Sequence, residues 1–466
     1  MILAPQLLPR HVLMDVGRGF AILGILWFNI FLFALPFEAM VIPGIWGEQN
    51  TANIATWDFV TIGVSGVMRG MISMLFGAAA FLMLYRSENA ENGFVQLDRY
   101  FRRLLILILF GVVHSYILLW PYDILYAYGV IGLFLFPFRN MSAKRLVVLA
   151  CVMLAASTFF TAHNSNEVQK AQTAVEDALT EEEIEKLRKE EPLLEELDES
   201  SGGFPLNQRG PNIVHNASFQ SLPSASAPEE ETSAQKQFNE MAERIGLEIE
   251  IRQMGYITSF FALSSLTFDE QTDEMLTNHF LDIATFFLIG LVLLKIGFFS
   301  MQLHTHIYAK IACLGYLIGL TLGLLTSLDF NEGDFFEPVS ALISTYSYDV
   351  RRLAFALANF ALMALLLRFG VAKFVTDSLE ACGRMALSLY ILQTIICNFI
   401  FIGLGLFGQM EHHQIAVLAI VITLFQVVLA RLYMRANRQG PLEWLLRELI
   451  GKTEGLVTKK GERLPG

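Results

Sequence analysis

The sequence predicts an all-α protein: a polytopic membrane helix bundle of about ten transmembrane helices, with one acidic extracytoplasmic insertion. Three observations predict it. Of the 466 residues, 54% are hydrophobic and only 17% are charged, against about 25% charged in soluble domains. Ten apolar runs approach the roughly 20 residues that a helix needs to cross a bilayer core of about 30 Å. Lys and Arg gather in alternate connections between those runs, as they do in cytoplasmic loops.

The runs fall at about 17–36, 59–84, 104–120, 123–138, 145–162, 280–298, 308–327, 351–369, 384–406 and 414–434. All are rich in Leu, Ile, Phe and Ala, and none alternates as a barrel strand would. The first reads as an anchored span. Pro36, Phe37 and Glu38 follow it, where a signal peptide would have a small-residue cleavage site. Arg10 and Arg18 precede the first run, and Arg86, Arg99, Arg102 and Arg103 lie between the second and third. Residues 37–58 and 407–413 contain neither Lys nor Arg. This bias predicts a multi-pass membrane protein with an even number of spans and both termini cytoplasmic. Trp46, Trp57 and Trp120 fall at predicted outer ends, where an aromatic belt is expected.

Spans one to five occupy 1–162, the insertion 163–275, spans six to ten 276–440, and a cytoplasmic tail 441–466. The insertion carries 24 acidic and 8 basic residues, net −16, whereas the rest of the chain has 21 and 25. The formal charge of −12 is therefore a property of this one segment. Thr180 to Glu183 reads as a capping box opening a helix, and 201–228 as a flexible linker. Phe238, Met241, Ile245 and Ile249 repeat at helical spacing, which predicts an amphipathic helix on the outer surface. The segment is either a solvated insertion or a lid over an outer site.

Several function classes are excluded or disfavoured. The chain has no GxxxxGK[ST] loop and no GxSxG elbow, so ATP-driven transport by this chain alone is not expected. Cys151, Cys313, Cys382 and Cys397 lie in or beside apolar runs without ligand spacing, and read as small apolar filler. No metal and no nucleic-acid partner is expected.

Polar groups inside a bilayer are costly, so each needs a reason. Asn29, Arg69, His114, Asn359 and Gln393 all fall in apolar runs, four of them roughly 14–18 Å from a span end at 1.5 Å of rise per residue. Their common depth predicts a buried polar site, though Asn29, Asn359 and Gln393 also suit plain interhelical hydrogen bonding. His114 is the candidate base or acyl carrier. Asp123, nine residues on and past the turn at Pro121, is the candidate that orients it. His279 and Asp282 are weaker candidates. Arg18, with Arg99, Arg103 and Arg384 at other inner ends, suggests a basic mouth suited to phosphates. Asp15, between Arg10 and Arg18, suits the first turn of a helix.

Four stretches carry a family resemblance. They are Arg10 to Asn29 (RHVLMDVGRGFAILGILWFN), Arg99 to His114 followed by Asp123, Gly383 to Gln393 (GRMALSLYILQ), and Gly440 to Arg447 (GPLEWLLR). Together they resemble the YeiB-like family (domain of unknown function 418). That family is similar to the membrane acyltransferase-3 proteins and the heparan-alpha-glucosaminide N-acetyltransferases. The resemblance implies a ten-helix bundle that takes an acyl group from cytoplasmic acyl-CoA. It further implies delivery to a small-molecule, glycan or lipid-linked acceptor, within the lipid bilayer. Assembly as a homo-oligomer is left open. Acyltransferase-3 proteins carry an Arg, ten intervening residues and an essential His. Here Arg18 keeps the spacing, but Asn29 stands in place of the His. Either His114 takes over the chemistry, with Asn29 and Arg69 supporting it, or this branch has changed it. A transporter or flippase using the same midplane groups, and a non-catalytic scaffold, are the alternatives.

Overall fold

The structure is a computed structural model, and it describes residues 11–41, 46–47, 50–88, 93–178, 233–331 and 338–461. Every one of the ten apolar runs is helical. They form α1 (Val12–Ala34), α2 (Val67–Glu88), α3 (Gly93–Val112), α4 (Ile124–Phe134), α5 (Ala143–Ala178), α6 (Phe280–Lys295), α7 (Thr305–Asn331), α8 (Pro338–Phe369), α9 (Ala386–Asn398) and α10 (His412–Ala436). Among the described residues there is no strand.

Among the described residues, eight helical segments are long and apolar enough to cross a membrane. The other two runs are shorter than expected. α4 is an apolar helix of 11 residues, and α6, of 16 residues, continues a bent pair with Tyr256–Thr277. Most of that preceding segment lies within the acidic insertion 163–275. Its helix, Tyr256–Gln271, has an apolar surface, with Phe261 and Phe268 exposed and Leu263 buried.

The bundle is apolar on its outside as well as inside. On α10, Val417, Val421, Leu424, Val428 and Leu432 form an exposed stripe at helical spacing. Such a face suits a hydrocarbon surround rather than water.

α1 lies at the centre, packed against α2, α8, α9, α10 and the helix Lys373–Gly383. The last contact depends on glycine. A Cβ on Gly19 would overlap the Leu379 carbonyl, and one on Gly383 would overlap the Asp15 carbonyl. This close approach brings the neighbouring residues Arg18 and Arg384 to one end of the bundle.

One expectation changes. Trp46, Trp57 and Trp120 do not form a belt facing the surround, since each is at most 3% exposed. Their indole N–H groups donate to the Met410 carbonyl, the Met40 carbonyl and the Tyr390 hydroxyl respectively. A buried indole needs such a partner, and interior acceptors supply it here. The C-terminal segment docks on the bundle. Pro441–Gly461 is helical, and its first turns pack back onto α9 and α3. Glu443 accepts from the backbone N–H groups of Leu387 and Ser388 and from the Ser388 hydroxyl. It thereby satisfies donors that open α9.

Ser233–Gln253 is a helix, as its periodicity predicts, with Ile245 buried and Ile249 packed near Gly408. The predicted capping box at Thr180, the linker 201–228 and Arg10 lie outside the described residues.

Candidate functional site

The site is built where α3 ends. The helix passes into a π turn over Val113–Ile117, a distortion frequent at functional positions. Its residue His114 is fully buried. The chain then turns through Leu119, a non-glycine residue at φ +53°, and restarts as α4 behind Asp123. Asp123 is the N-cap, with Oδ2 accepting from the Tyr126 N–H at 2.8 Å. Its other oxygen, Oδ1, lies 2.6 Å from His114 Nδ1. One carboxylate thus both starts a helix and holds an imidazole. Gly111 permits the approach: a Cβ there would stand 2.7 Å from Asp123 Oδ2.

α9 completes the cluster. Thr394 Oγ1 lies 2.8 Å from His114 Nε2. The Tyr390 hydroxyl, one turn earlier, lies 3.4 Å from Asp123 Oδ1 and accepts from the Trp120 indole at 3.2 Å. The Tyr390 ring meets the His114 ring edge-on at 4.9 Å between centroids. A carboxylate only accepts, so Nδ1 carries the proton toward Asp123. In the neutral imidazole Nε2 is then the acceptor for the Thr394 hydroxyl.

A cavity of about 920 Å³ leads to this cluster. Its mouth is lined by Arg18, Arg99, Arg103 and Arg384, the four arginines expected there, and also by Arg438 and Arg447. Its walls are apolar, with Ile22, Ile72, Leu75, Phe76, Leu107 and Leu125. Tyr128 and Tyr390 are the hydroxyl-bearing side chains in its lining. Leu446, Ile450 and Arg447 of the C-terminal helix close one side. Such a volume is at the large end of small-molecule sites, roughly 300–1,000 Å³. Cys382, beside the mouth, offers no thiolate, because burial pushes its thiol up to about 12.

His114 itself does not line the cavity. Tyr390 stands between them, bonded to the carboxylate that holds the imidazole.

The other midplane residues go elsewhere. Arg69 pairs with Asp282 at 3.0 Å. Asp282 also pairs with Arg352, which reaches Asp349 at 2.7 Å. The Arg69 carbonyl accepts from Ser73, which also bonds the Tyr128 hydroxyl. Gln393 donates to the Ile22 carbonyl and to Gln426, joining α9 to α1 and α10. Asn359 accepts from Tyr316 at 2.8 Å, joining α8 to α7. His279 meets Glu270 at 2.9 Å. Asn29 is half-buried on α1 and joins no hydrogen bond of the His114 cluster. Five residues of equal predicted depth therefore occupy several separate environments.

Sequence reasoning missed Thr394, Tyr390, Tyr128, Arg352 and Asp349. A signal for the first two was present. Tyr390, Gln393 and Thr394 are a polar triplet at i, i+3 and i+4 in an otherwise apolar run, so all three lie on neighbouring faces of one helix.

The fold and its apolar surface define a membrane helical protein with a basic-mouthed internal cavity. Residues 293–453 match the family described as "Protein of unknown function (DUF418)". The chain is 25% identical over 464 residues to the uncharacterized protein YeiB of Escherichia coli (strain K12), covering 97% of this chain and 100% of that one. It is also 25% identical over 472 residues to the uncharacterized protein YxaH of Bacillus subtilis (strain 168), covering 98% of each. Together these matches support a YeiB-like family for this chain, as the four motifs do. No solved structure matches it.

Proposed function

We propose that this protein is an acyl-CoA-dependent acyltransferase of a bacterial plasma membrane, with both termini and the arginine mouth cytoplasmic. One observation carries the reading. One cavity is lined by six arginines and by Tyr390, whose hydroxyl bonds Asp123 of the buried His114–Asp123 pair behind it. The arginines suit the phosphates of coenzyme A, since guanidinium groups bind phosphate oxygens in pairs. The apolar walls suit a thin, uncharged arm. His114 supplies the base, Asp123 orients it, and the acceptor is an extracytoplasmic or lipid-linked hydroxyl or amine. Arg69, Asn359 and Gln393 act through packing rather than contact with substrate.

The test is acetyl-CoA titration of the purified full chain in detergent, with heat of binding and free CoA followed beside His114→Ala. Binding with CoA release that falls at least a hundredfold in the variant supports the reading. Binding without release, alongside flux of a phosphorylated lipid or metabolite into vesicles, moves the same cavity to transport. Absence of acetyl-CoA binding removes the acyltransferase reading.

A further inference from the structure

We infer that Thr394 is the acyl-accepting nucleophile, activated by His114 and Asp123, so that the acyl group passes through a covalent ester of the protein. The inference rests on the acyltransferase reading above and adds a residue and an intermediate to it.

The geometry comes first. Asp123 Oδ1, His114 Nδ1, His114 Nε2 and Thr394 Oγ1 form a chain of two contacts, 2.6 and 2.8 Å long. This is the order of carboxylate, imidazole and hydroxyl that activates an alcohol, recognised by geometry and not by sequence position. Thr394 is 1% exposed and His114 fully buried, so no bulk water competes for the hydroxyl proton.

The second observation is what the hydroxyl does not do. In helices a threonine hydroxyl habitually bonds the carbonyl four residues back. Thr56, Thr158, Thr285 and Thr326 all do so, at 2.7–3.0 Å. The Thr394 hydroxyl turns to His114 instead.

Third, Thr394 follows Tyr390 by four residues, one turn deeper on the same face of α9. Tyr390 lines the cavity. The side chain that separates the cavity from the Thr394 hydroxyl is therefore one turn away on the same helix.

The step balances. Thr394 Oγ attacks the thioester carbonyl of an acyl-CoA, and its proton passes to His114 Nε2. The tetrahedral adduct collapses, the C–S bond breaks, and the thiolate of CoA takes the proton from His114. A hydroxyl or amine acceptor then attacks the Thr394 ester carbonyl and gives its proton to His114 Nε2; the bond between Oγ and the acyl carbon breaks, and Oγ takes that proton back, restoring the threonine hydroxyl.

The experiment is intact-protein mass measurement and peptide mapping after incubating the full chain with acetyl-CoA and no acceptor. Wild type and Thr394→Ser are expected to gain one acetyl group, mapped to position 394. Thr394→Val, of equal size and without the hydroxyl, is expected to bind acetyl-CoA within about twofold of wild type, to gain no acetyl group, and to release CoA roughly a hundredfold more slowly or worse. An acetyl group on Thr394→Val, one mapped to another residue, or none on wild type that binds and turns over acetyl-CoA overturns the inference and leaves the acyltransferase reading standing. Wild type that neither binds acetyl-CoA nor releases CoA overturns both.

Discussion

Two buried polar clusters occupy this bundle, and they are built on opposite plans. The Arg69, Asp282, Arg352 and Asp349 cluster is made of formal charges that cancel in pairs, two guanidiniums against two carboxylates. Asp349 is further bonded by the Thr158 hydroxyl at 3.0 Å. The Asp123, His114, Thr394 and Tyr390 cluster has one carboxylate, and around it a backbone N–H, an imidazole and a phenol. The first cluster spends its charges on each other and ties α2, α6 and α8 together. The second spends its one charge on orienting groups that can exchange protons. A cavity with an arginine mouth ends beside the second. Buried ionisable groups are therefore not one category: mutual charge pairing marks scaffold, and a graded chain of donors beside a cavity marks chemistry.

The comparison can be broken from either side. The largest effect is expected from Asp123→Asn. Asn still caps α4, so the folded protein persists, but it favours the wrong imidazole tautomer. CoA release from acetyl-CoA is expected to fall by about 10⁴-fold, with thermal unfolding in detergent nearly unchanged. A large loss of stability there would make this cluster scaffold too.

Next comes Asp282→Ala, which leaves Arg69 and Arg352 facing each other without their shared carboxylate. Removing one partner of a buried pair costs about 3–5 kcal/mol, so unfolding should shift strongly downward in a thermal or denaturant melt. An unchanged melt would show that the charges are hydrated and the cluster is not scaffold.

A smaller effect is expected at the mouth. Arg447→Gln removes one of six guanidiniums from the cavity lining. A hydrogen bond to a charged group is worth about 1.5–3 kcal/mol, so acetyl-CoA affinity should weaken by about tenfold or more in calorimetry. Turnover of the bound substrate should stay the same. Equal loss for acetyl-CoA and its dephospho analogue would argue against a contact to the 3′-phosphate and leave the pyrophosphate as the partner.

The smallest effect belongs to Gln393→Leu. Interhelical hydrogen bonds in membrane bundles average about 0.6 kcal/mol. Gln393 joins three helices without touching the cavity, so release of CoA should hold within about twofold. A hundredfold loss would return Gln393 to the site.

Much of the fold was legible because a helix in an apolar surround must satisfy its own backbone, and apolar length is written locally. That is why all ten runs are helices. The mouth was legible for a similar reason, since cations cluster at the end where several helices begin. Depth along a helix can also be counted from sequence, but the direction in which a side chain points cannot be counted with it. Arg69, Gln393, Asn359 and His114 share a depth and face different neighbours. Thr394 was hidden because one threonine in an apolar run is an ordinary residue until its hydroxyl is seen to leave the helix backbone.

By itself, then, the sequence determined the helical class, the order of the apolar runs, the pairing of His114 with a carboxylate nine residues on, and which arginines share an end. These follow from local hydropathy, short-range chain reversal and charge. Only the tertiary structure decided that α9 brings Tyr390 and Thr394 to that pair, that Arg352 and Asp349 absorb Arg69 and Asp282, and that the C-terminal helix walls the cavity. The Thr394–His114, Tyr390–Asp123 and Arg69–Asp282 contacts join residues more than 200 positions apart. They are set by how closely helices approach at Gly111, Gly19 and Gly383, which is a property of packed surfaces rather than of any one segment.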